Sequence, residues 1–195
     1  AAVINLINEK HHYHVVTIED PIEFLHNHKN STINQREIGT DARDFPSSLR
    51  AALRQAPKVI LIGEMRDFET TEIALEAAET GHLVLSTLHT IDASKTVDRI
   101  IGLYPKNEER VIRTRLSQTF RYIISQRLIP RADGRGRVAV AEVLRSSPRT
   151  REYIDAGEAD GKSLLDAMRE HGITNVTSIE AHRAAPGYAI YTAMK

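Results

Sequence analysis

The 195-residue sequence contains no cysteine and no tryptophan, and aromatic residues make up only 5% of it. Without cysteine the chain has no disulfide framework, no thiolate metal site and no cysteine nucleophile, which is compatible with a reducing cytosolic setting. No apolar stretch approaches the roughly 20 residues that span a bilayer, and the first residues lack the pattern of a signal peptide. We therefore expect any membrane association to be made through a partner.

The charges are balanced, with 26 basic and 26 acidic residues. Such a chain produces no large field of one sign, so a strong attraction to nucleic acid or to an anionic membrane is not expected. Several arginines fall in a predicted amphipathic helix without interleaved aromatic residues, which favours a solvated or subunit-facing surface over a nucleic-acid surface. These are Arg113, Arg115, Arg121 and Arg127.

Hydrophobic periodicity predicts alternating strands and helices, as in α/β proteins with a parallel, helix-covered sheet. The predicted strands are residues 15–18, 59–62 and 83–88, a weaker edge strand or hairpin at 32–38, and a β-hairpin formed by 127–130 and 137–143. The predicted helices are residues 1–8, 46–55, 68–80, 92–101 and a long one at about 106–126. From residue 146 the composition turns polar and helical, so we predict a core domain at 1–145 and a small helical region at 146–195.

The segment 58–67 delivers acidic and basic groups directly after a run of aliphatic residues. Residues 59–62 are typical of a central strand buried on both faces, and Gly63 permits a close approach of backbone or ligand. Glu64 follows the carboxyl end of that strand, where α/β sheets bind ligands and where nucleotidases place a carboxylate that holds Mg²⁺ directly or through water. The alternative is a surface Glu-Arg-Asp cluster that closes a strand in any α/β protein.

Polar groups follow three predicted strands, and parallel topology would bring them to one edge of the sheet. A site so rich in carboxylates suits a metal-bound phosphate ligand. The sequence offers candidates for a metal ligand, a carboxylate that activates water and a group near the γ-phosphate, but it contains no G-x-x-x-x-G-K-[ST] phosphate cradle. The candidate residues are Glu19, Asp20, Glu23, Glu64, Asp67, His89 and Thr90.

The remaining histidines lack carboxylate or cysteine neighbours at the spacing of metal ligands, which indicates solvated loop histidines. They are His11, His12, His14, His26 and His28. Taken alone, His82 is also compatible with the start of a strand, and His89 with the cap of the following helix.

Three segments together resemble the Asp box, the atypical Walker B motif and the His box of the secretion ATPase superfamily, and are most similar to its type IV pilus retraction ATPases. They are residues 17–24, 60–67 and 80–90, and the resemblance extends over about residues 1–145. It implies a RecA-like P-loop NTPase core that binds ATP and Mg²⁺. It further implies a homo-hexamer in the cytoplasm, peripheral to the bacterial inner membrane, that acts with an inner-membrane pilus platform protein to drive retraction and twitching motility.

The resemblance also implies roles for the acidic residues. Glu23 matches the Asp-box glutamate that acts as general base on the attacking water, with Glu19 and Asp20 in support. Glu64 matches the Walker B acid that positions Mg²⁺, most simply through water.

Further roles follow for the basic residues. His89 matches the His-box residue near the γ-phosphate, and His82 the one that couples nucleotide state to the subunit interface. Arg99 lies in a stretch that resembles an interfacial arginine helix and would reach a neighbouring subunit. Arg66 would lie at the nucleotide site or simply pair with local acids.

In the family the Walker A motif precedes the helix that opens this chain, so we expect a C-terminal fragment that is inactive alone. Residues 150–158 match poorly to the Ala-Ile-Arg-Asn-Leu-like helix tied to retraction. A pilus-assembly or type II secretion ATPase is therefore an alternative, although such proteins commonly carry a four-cysteine zinc module. A non-catalytic assembly module without a phosphate cradle is another.

Overall fold

The computed structural model describes residues 1–131, 134–157, 164, 177–179 and 190–194. Its helices are α1 Ala2–Lys10, α2 Phe45–Leu53, α3 Phe68–Glu79, α4 Ala93–Ile101, α5 Glu109–Thr119 and α6 Pro148–Ala156, with a 3₁₀ turn at Lys106–Glu108. Its strands are β1 His14–Glu19, β2 Thr32–Glu37, β3 Val59–Ile62, β4 Leu83–Thr87, β5 Phe120–Pro130, β6 Arg137–Arg145, β7 Thr177–Ile179 and β8 Ile190–Met194.

Residue contacts divide the chain into two compact units. The first comprises Ala1–Thr87 with Ala193–Lys195, and the second comprises Leu88–Thr192. The boundary predicted between residues 145 and 146 falls just before α6, inside the second unit, and it stays a prediction about domains.

The first unit is built on a parallel sheet in the order β2-β1-β3-β4. The predicted parallel, helix-covered sheet is thereby confirmed, and the segment at 32–38 is an edge strand that runs parallel to β1 rather than half of a hairpin. Helices α2 and α3 contact the sheet at β1 and β4 respectively. This topology brings the carboxyl ends of all four strands to one edge.

Period-two alternation decides which residues form the core of this unit. One face of the sheet packs against α1 through a cluster of buried side chains, namely Ile4, Val15, Ile33, Val59, Leu61 and Leu85. The intervening residues Ile60 and Ile62 of β3 are fully buried as well. Both faces of β3 are therefore covered, which explains its uninterrupted aliphatic sequence.

The second unit contains the predicted hairpin, but its first strand begins earlier than expected. Strand β5 pairs antiparallel with β6 from Tyr122↔Arg145 to Pro130↔Arg137. The predicted helix at 106–126 is therefore wrong beyond Thr119. Buried Phe120, Ile123 and Ser125 alternate imperfectly with more exposed neighbours, and the long cross-strand pairing outweighs the helical spacing of the same apolar residues.

Helices α5 and α6 are joined by polar contacts within the second unit. The Arg113 guanidinium donates to the Ile154 carbonyl at 3.3 Å, and the Thr114 hydroxyl donates to the Asp155 carboxylate. A capping box opens α6, because the Ser147 hydroxyl accepts from the Thr150 amide at 3.2 Å and the Thr150 hydroxyl accepts from the Ser147 amide at 2.8 Å. None of the helices in the described part of the chain combines the length and apolar composition needed to cross a membrane.

Candidate functional site

The carboxyl ends of β1 and β3 lie side by side in the first unit. Ile18 pairs with Ile62, and the Gly63 amide donates to the Ile18 carbonyl at 2.7 Å. Glu19 follows Ile18 directly, and Glu64 follows Ile62 after Gly63, so both acids lie at the same edge of the sheet. The predicted meeting of these two strand ends is present in the fold.

Gly63 makes this close approach possible. A Cβ atom there would lie 3.3 Å from Glu19 Cα and 3.3 Å from the Ile18 carbonyl oxygen, which is tighter than ordinary contact. The Gly63 carbonyl in turn accepts from Thr87 Oγ1 at 2.5 Å. The ends of three neighbouring strands are thus locked together around a residue without a side chain.

Glu19 is held at this edge by two donors. Its Oε1 accepts from Thr17 Oγ1 at 2.6 Å and from Gln35 Nε2 at 3.1 Å. The side chain is half-buried, whereas the following Asp20 is exposed. Of the two acids, Glu19 has the more defined position.

Glu23 lies in the β1–β2 loop, residues 20–31, and is exposed. Two large apolar side chains follow it without being buried, since Phe24 is 54% and Leu25 is 84% exposed. The loop is therefore not held near Glu23 by apolar packing. Polar contacts with β2 hold it instead, through Gln35 and Glu37.

The far end of the β1–β2 loop is fixed by a buried asparagine of α1. Asn8, which is 1% exposed, donates from Nδ2 to the Asn27 carbonyl at 2.7 Å and accepts the Lys29 amide on Oδ1 at 3.0 Å. Because both ends of the carboxamide are used, its orientation is determined. Helix α1 thereby anchors the loop that carries Glu23.

Glu64 pairs with Arg66, in agreement with the alternative in which this arginine pairs with local acids. Arg66 Nε donates to Glu64 Oε2 at 2.6 Å, and the two side chains are 62% and 18% exposed respectively. The glutamate is thus partly sheltered while its arginine partner extends into solvent.

Asp67, the second acid after β3, is a helix cap. Its Oδ1 accepts from the Thr70 amide at 2.8 Å and its Oδ2 from the Thr70 hydroxyl at 2.9 Å. These bonds satisfy donors at the first turn of α3. Asp67 therefore acts in local folding, and its carboxylate is directed to the helix.

His82 lies immediately before β4 and contacts the preceding helix. Its Nδ1 lies 3.0 Å from the Ala77 carbonyl oxygen and 3.3 Å from Thr80 Oγ1. The ring therefore helps to close the turn between α3 and β4. Its predicted coupling role stays a prediction.

His89 and Arg99 belong to the second unit, and both are exposed. The cap of α4 is Asp92, whose Oδ1 accepts from the Lys95 amide at 2.7 Å. The alternative in which His89 caps this helix is wrong. Arg99 lies in the last turn of α4, and the roles of both residues toward nucleotide stay predictions.

The other histidines differ in their surroundings. His11 is exposed and stacks on Tyr13 with ring centroids 4.8 Å apart. His14 is half-buried in β1, with Nδ1 3.3 Å from the Gln55 carbonyl oxygen and Nε2 3.0 Å from Asn34 Nδ2. The prediction of a solvated loop histidine is therefore wrong for His14, because it lies inside a strand whose neighbours supply partners for both ring nitrogens.

The second unit also contains a cleft of about 340 Å³ beside α4 and α5, with charged residues in its lining. One of these is Arg113, whose guanidinium is already engaged by Glu109 Oε1 at 2.9 Å and by the Ile154 carbonyl. None of the predicted site residues lines this cleft.

Gln35 and Glu37 are the residues near the candidate site to which the sequence alone assigned no role. The sequence feature that could have pointed to them is the weak alternation at 32–38, which places both residues on one face of a strand. Their contacts depend on the path of the β1–β2 loop, which no periodicity encodes.

Comparison with protein families gives a match over residues 1–192 to the family model described as "Type II/IV secretion system protein". The chain belongs to this family. A "Twitching motility protein" from Neisseria gonorrhoeae is 48% identical over 179 residues, which is 92% of this chain and 44% of the relative. The "Type IV pilus retractation ATPase PilT" of Pseudomonas aeruginosa is 47% identical over 154 residues, 79% of this chain and 44% of the relative.

The solved structure titled "Crystal Structure of the Pilus Retraction Motor PilT and Bound ADP" superposes with a TM-score of 0.82 at 44% identity, covering 90% of this chain and 49% of that one. The fold is accordingly the α/β, RecA-like fold of secretion ATPases. The chain spans less than half the length of these curated relatives.

The carboxylates at this edge of the sheet suit Mg²⁺ better than a metal ion that needs a cage of protein ligands. Among the described residues no group of three or more His, Asp or Glu side chains could enclose a metal. Mg²⁺ is typically held by one or two carboxylates together with water and phosphate oxygens, so it does not need such a cage. Glu64, sheltered at a strand end beside Glu19, fits a ligand of this kind.

Proposed function

We propose that this chain is part of an ATP-hydrolysing motor that drives type IV pilus retraction and twitching motility. The observation that carries the proposal is the placement of Glu19 and Glu64 at adjacent carboxyl ends of a parallel sheet, in a chain 47% identical to a pilus retraction ATPase over 154 residues. The chain covers 44% of that relative. The activity of the whole motor is therefore a proposal for this chain and does not follow from the identity alone.

The proposed ligands are ATP and Mg²⁺, and Glu64 is the residue that would hold the metal, through water. When bound, the metal neutralises charge on the phosphates. The ADP bound in the similar retraction motor structure supports a nucleotide as a ligand of this chain. The partial shelter of Glu64 and its pairing with Arg66 support a carboxylate with a defined orientation.

Glu23 is proposed as the general base that takes a proton from the attacking water. Its exposed carboxylate lies on a loop anchored at both ends, so it can meet solvent and still keep a defined position. Glu19 and Asp20 would add negative charge nearby that stabilises a proton taken up by the site. A positioned base of this kind contributes about 10²- to 10⁴-fold to a rate.

The basic residues are proposed to serve the nucleotide and the subunit contacts. His89 would lie near the γ-phosphate, and His82 would link the nucleotide to a neighbouring subunit. Arg99, exposed at the end of α4, would reach across to that subunit. Arg66 would orient Glu64.

The working assembly is proposed to be a homo-hexamer in the cytoplasm, peripheral to the bacterial inner membrane, acting on an inner-membrane platform protein of the pilus. The exposed apolar and basic side chains of the second unit are compatible with subunit contacts. No nucleic-acid partner is proposed, because the chain carries no net charge.

The test supplies the phosphate cradle that this sequence does not contain. The chain is joined behind the segment of the Pseudomonas relative that would carry the phosphate-binding loop ahead of α1, and Mg²⁺-dependent ATP hydrolysis is measured. Glu23→Gln should retain ATP binding and lower turnover by about 100-fold or more. Glu152→Gln, an exposed acid on α6, is the matched control and should turn over normally.

Two results would contradict the proposal in different ways. A chimera that binds ATP but never hydrolyses it would favour a non-catalytic assembly module. Normal turnover by Glu23→Gln would remove Glu23 as the base while leaving the motor intact.

The direction of the motor is tested in cells. The active chimera should restore twitching to a Pseudomonas strain that lacks its own retraction ATPase. Restoration of pilus assembly instead, in a strain lacking the assembly ATPase, would favour the assembly or type II secretion alternative.

A further inference from the structure

The backbone next to Glu23 is held by side chains of the neighbouring strand β2. Glu23 has no regular secondary structure around it, and the apolar residues that follow it are exposed. Any fixed position of its carboxylate must therefore come from hydrogen bonds to the surrounding loop. Two residues of β2, Gln35 and Glu37, make such bonds on opposite sides of Glu23.

Gln35 holds the segment that follows Glu23. Its Oε1 accepts from the His26 amide at 2.7 Å, and its Nε2 donates to the Phe24 carbonyl at 2.9 Å and to Glu19 Oε1 at 3.1 Å. A flipped carboxamide would present its oxygen to two acceptors, so the contacts define one orientation. One side chain thus connects the loop to a second candidate site acid.

Glu37 holds the segment that precedes Glu23. Its Oε2 accepts from the Ile22 amide at 2.9 Å, and its Oε1 accepts from Thr40 Oγ1 at 3.2 Å. The Ile22 contact is charge-assisted, and such bonds are shorter and stronger than neutral ones. The carboxylate is itself held by the turn that follows β2.

The sheet brings the two anchors to the right place. Residues two apart on a strand face the same side, and the register pairs Gln35 with Thr17 and Glu37 with Glu19. The anchors therefore lie at the carboxyl end of β2, directly beside the end of β1.

We infer that Gln35 and Glu37 are positioning residues that together fix the backbone on both sides of Glu23. This inference rests on the proposed role of Glu23 as the base. A catalytic group displaced by about 1 Å can lose 100-fold in rate, and these two side chains restrict that displacement. Neither residue touches the reacting atoms in this role.

The first test is made on the unmodified chain by amide hydrogen exchange, followed by NMR. The amides of Ile22 and His26 should exchange at least about tenfold more slowly than that of Leu25, which makes no hydrogen bond within the described residues. Equal exchange of all three amides would overturn the inference, and this result does not depend on whether any variant folds.

Variants then separate the two anchors. Gln35→Met should speed exchange at His26 and leave Ile22 protected, and Glu37→Leu should do the reverse. Glu37→Gln keeps an acceptor oxygen of the same shape and should restore the protection of Ile22. Arg36→Lys, on the opposite face of β2, is the control that should alter neither amide. Unchanged protection in both disruptive variants, with β1 amides still protected, would overturn the inference.

Catalysis is examined in the ATP-hydrolysing chimera, with turnover expressed per bound nucleotide so that unfolded molecules do not count. Gln35→Met should lower kcat by about 10- to 100-fold while KM for ATP changes less than threefold. An unchanged kcat would exclude a positioning role. If Glu23→Gln itself hydrolyses ATP normally, the proposed base is wrong, but the exchange measurements still decide whether the two side chains hold the loop.

Discussion

The two units differ in how many polar side chains hold irregular backbone in place. In the first unit, Asn8 of α1 and Gln35 of β2 form hydrogen bonds to the irregular β1–β2 loop. These polar contacts fix the position of loop residues that helix or strand propensity does not fix. In the second unit, Arg113 and Thr114 connect one regular helix to another, and Arg127 donates to the carbonyl of the loop residue Ile91. Polar contacts that hold irregular backbone in place suggest a site, whereas those between regular elements suggest stability.

Apolar side chains are exposed in both units, on regular elements and on loops, so apolar exposure does not separate the units. The first unit leaves Phe24 and Leu25 exposed beside the candidate base, at a sheet edge where ligands bind. In the second unit, Val111 and Ile129 are exposed on regular elements, at 59% and 44%. The positions of the candidate acids, rather than apolar exposure, are the reason that the proposed chemistry lies mainly in the first unit, with His89 and Arg99 as proposed contributions from the second.

The largest expected effects come from truncating core side chains. These changes test whether a loss of stability in one unit spreads to the other. Ile60→Ala in β3 and Ile123→Ala in β5 both remove fully buried side chains and should each cost about 2–5 kcal/mol. Hydrogen exchange at increasing urea should show the loss mainly in the unit that carries the change. Ile129→Ala, 44% exposed, is the control and should stay within about 0.5 kcal/mol. An equal loss of stability in both units would show that the two units do not unfold separately.

A second comparison concerns two glycines that are required for different reasons. Gly63→Ala should cost about 1–3 kcal/mol because the new Cβ would meet backbone of β1 at 3.3 Å. Gly134→Ala has no atom within 4 Å but a φ of +69°, so it should cost about 1–2 kcal/mol through backbone strain.

Asparagine distinguishes the two causes. Gly134→Asn should recover most of the loss, because asparagine tolerates the left-handed region, whereas Gly63→Asn should not recover. Urea unfolding provides the measurement. Recovery at both positions would show that space is not limiting at Gly63.

The first unit was predictable from sequence to a greater extent than the second. Its strands at 59–62 and 83–87 are short aliphatic runs bounded by glycine and polar residues, which helices do not resemble. Segment 120–126 was mistaken for a helix because Phe120, Ile123 and Ile124 also suit helical spacing. Only pairing with β6, more than ten residues away in sequence, decides in favour of a strand.

At the candidate site, the sequence predicted which strand ends would meet but not what holds them. Glu19 and Glu64 meet because parallel topology requires it. The second acid after β3, Asp67, is a helix cap and not a free site acid. An Asp directly before a predicted helix is a capping signal, so this role could have been predicted from the sequence. Gln35 could not be assigned, because its partners depend on the conformation of an irregular loop.

Helix caps should show less difference between the units. Ser147→Ala breaks the capping box of α6, and Asp67→Ala removes the cap of α3. Each change should cost about 0.5–2 kcal/mol, measured by urea unfolding, because one helix-end donor loses its partner. Ser147→Asp and Asp67→Ser keep an acceptor and should restore most of the stability. A much larger cost in one unit than in the other would show that the cap also supports tertiary packing there.

The smallest expected effect is a pH dependence that arises from His26 in the first unit. Burial, reinforced by the amino-terminal ammonium and Lys29 and opposed by Glu19, lowers the pKa of His26 in the folded chain. As pH falls through the unfolded-state pKa of about 6.5, His26 is protonated in the unfolded chain but remains neutral in the folded chain. The free energy of unfolding therefore decreases until the folded pKa is reached.

His26→Gln should flatten the decline in unfolding free energy between about pH 7 and pH 5, while exposed His12→Gln should not. Because the His26 amide is the donor to Gln35, the same titration followed by NMR also reports on the loop beside Glu23. A decline that is identical in both variants would show that the β1–β2 loop does not respond to this histidine.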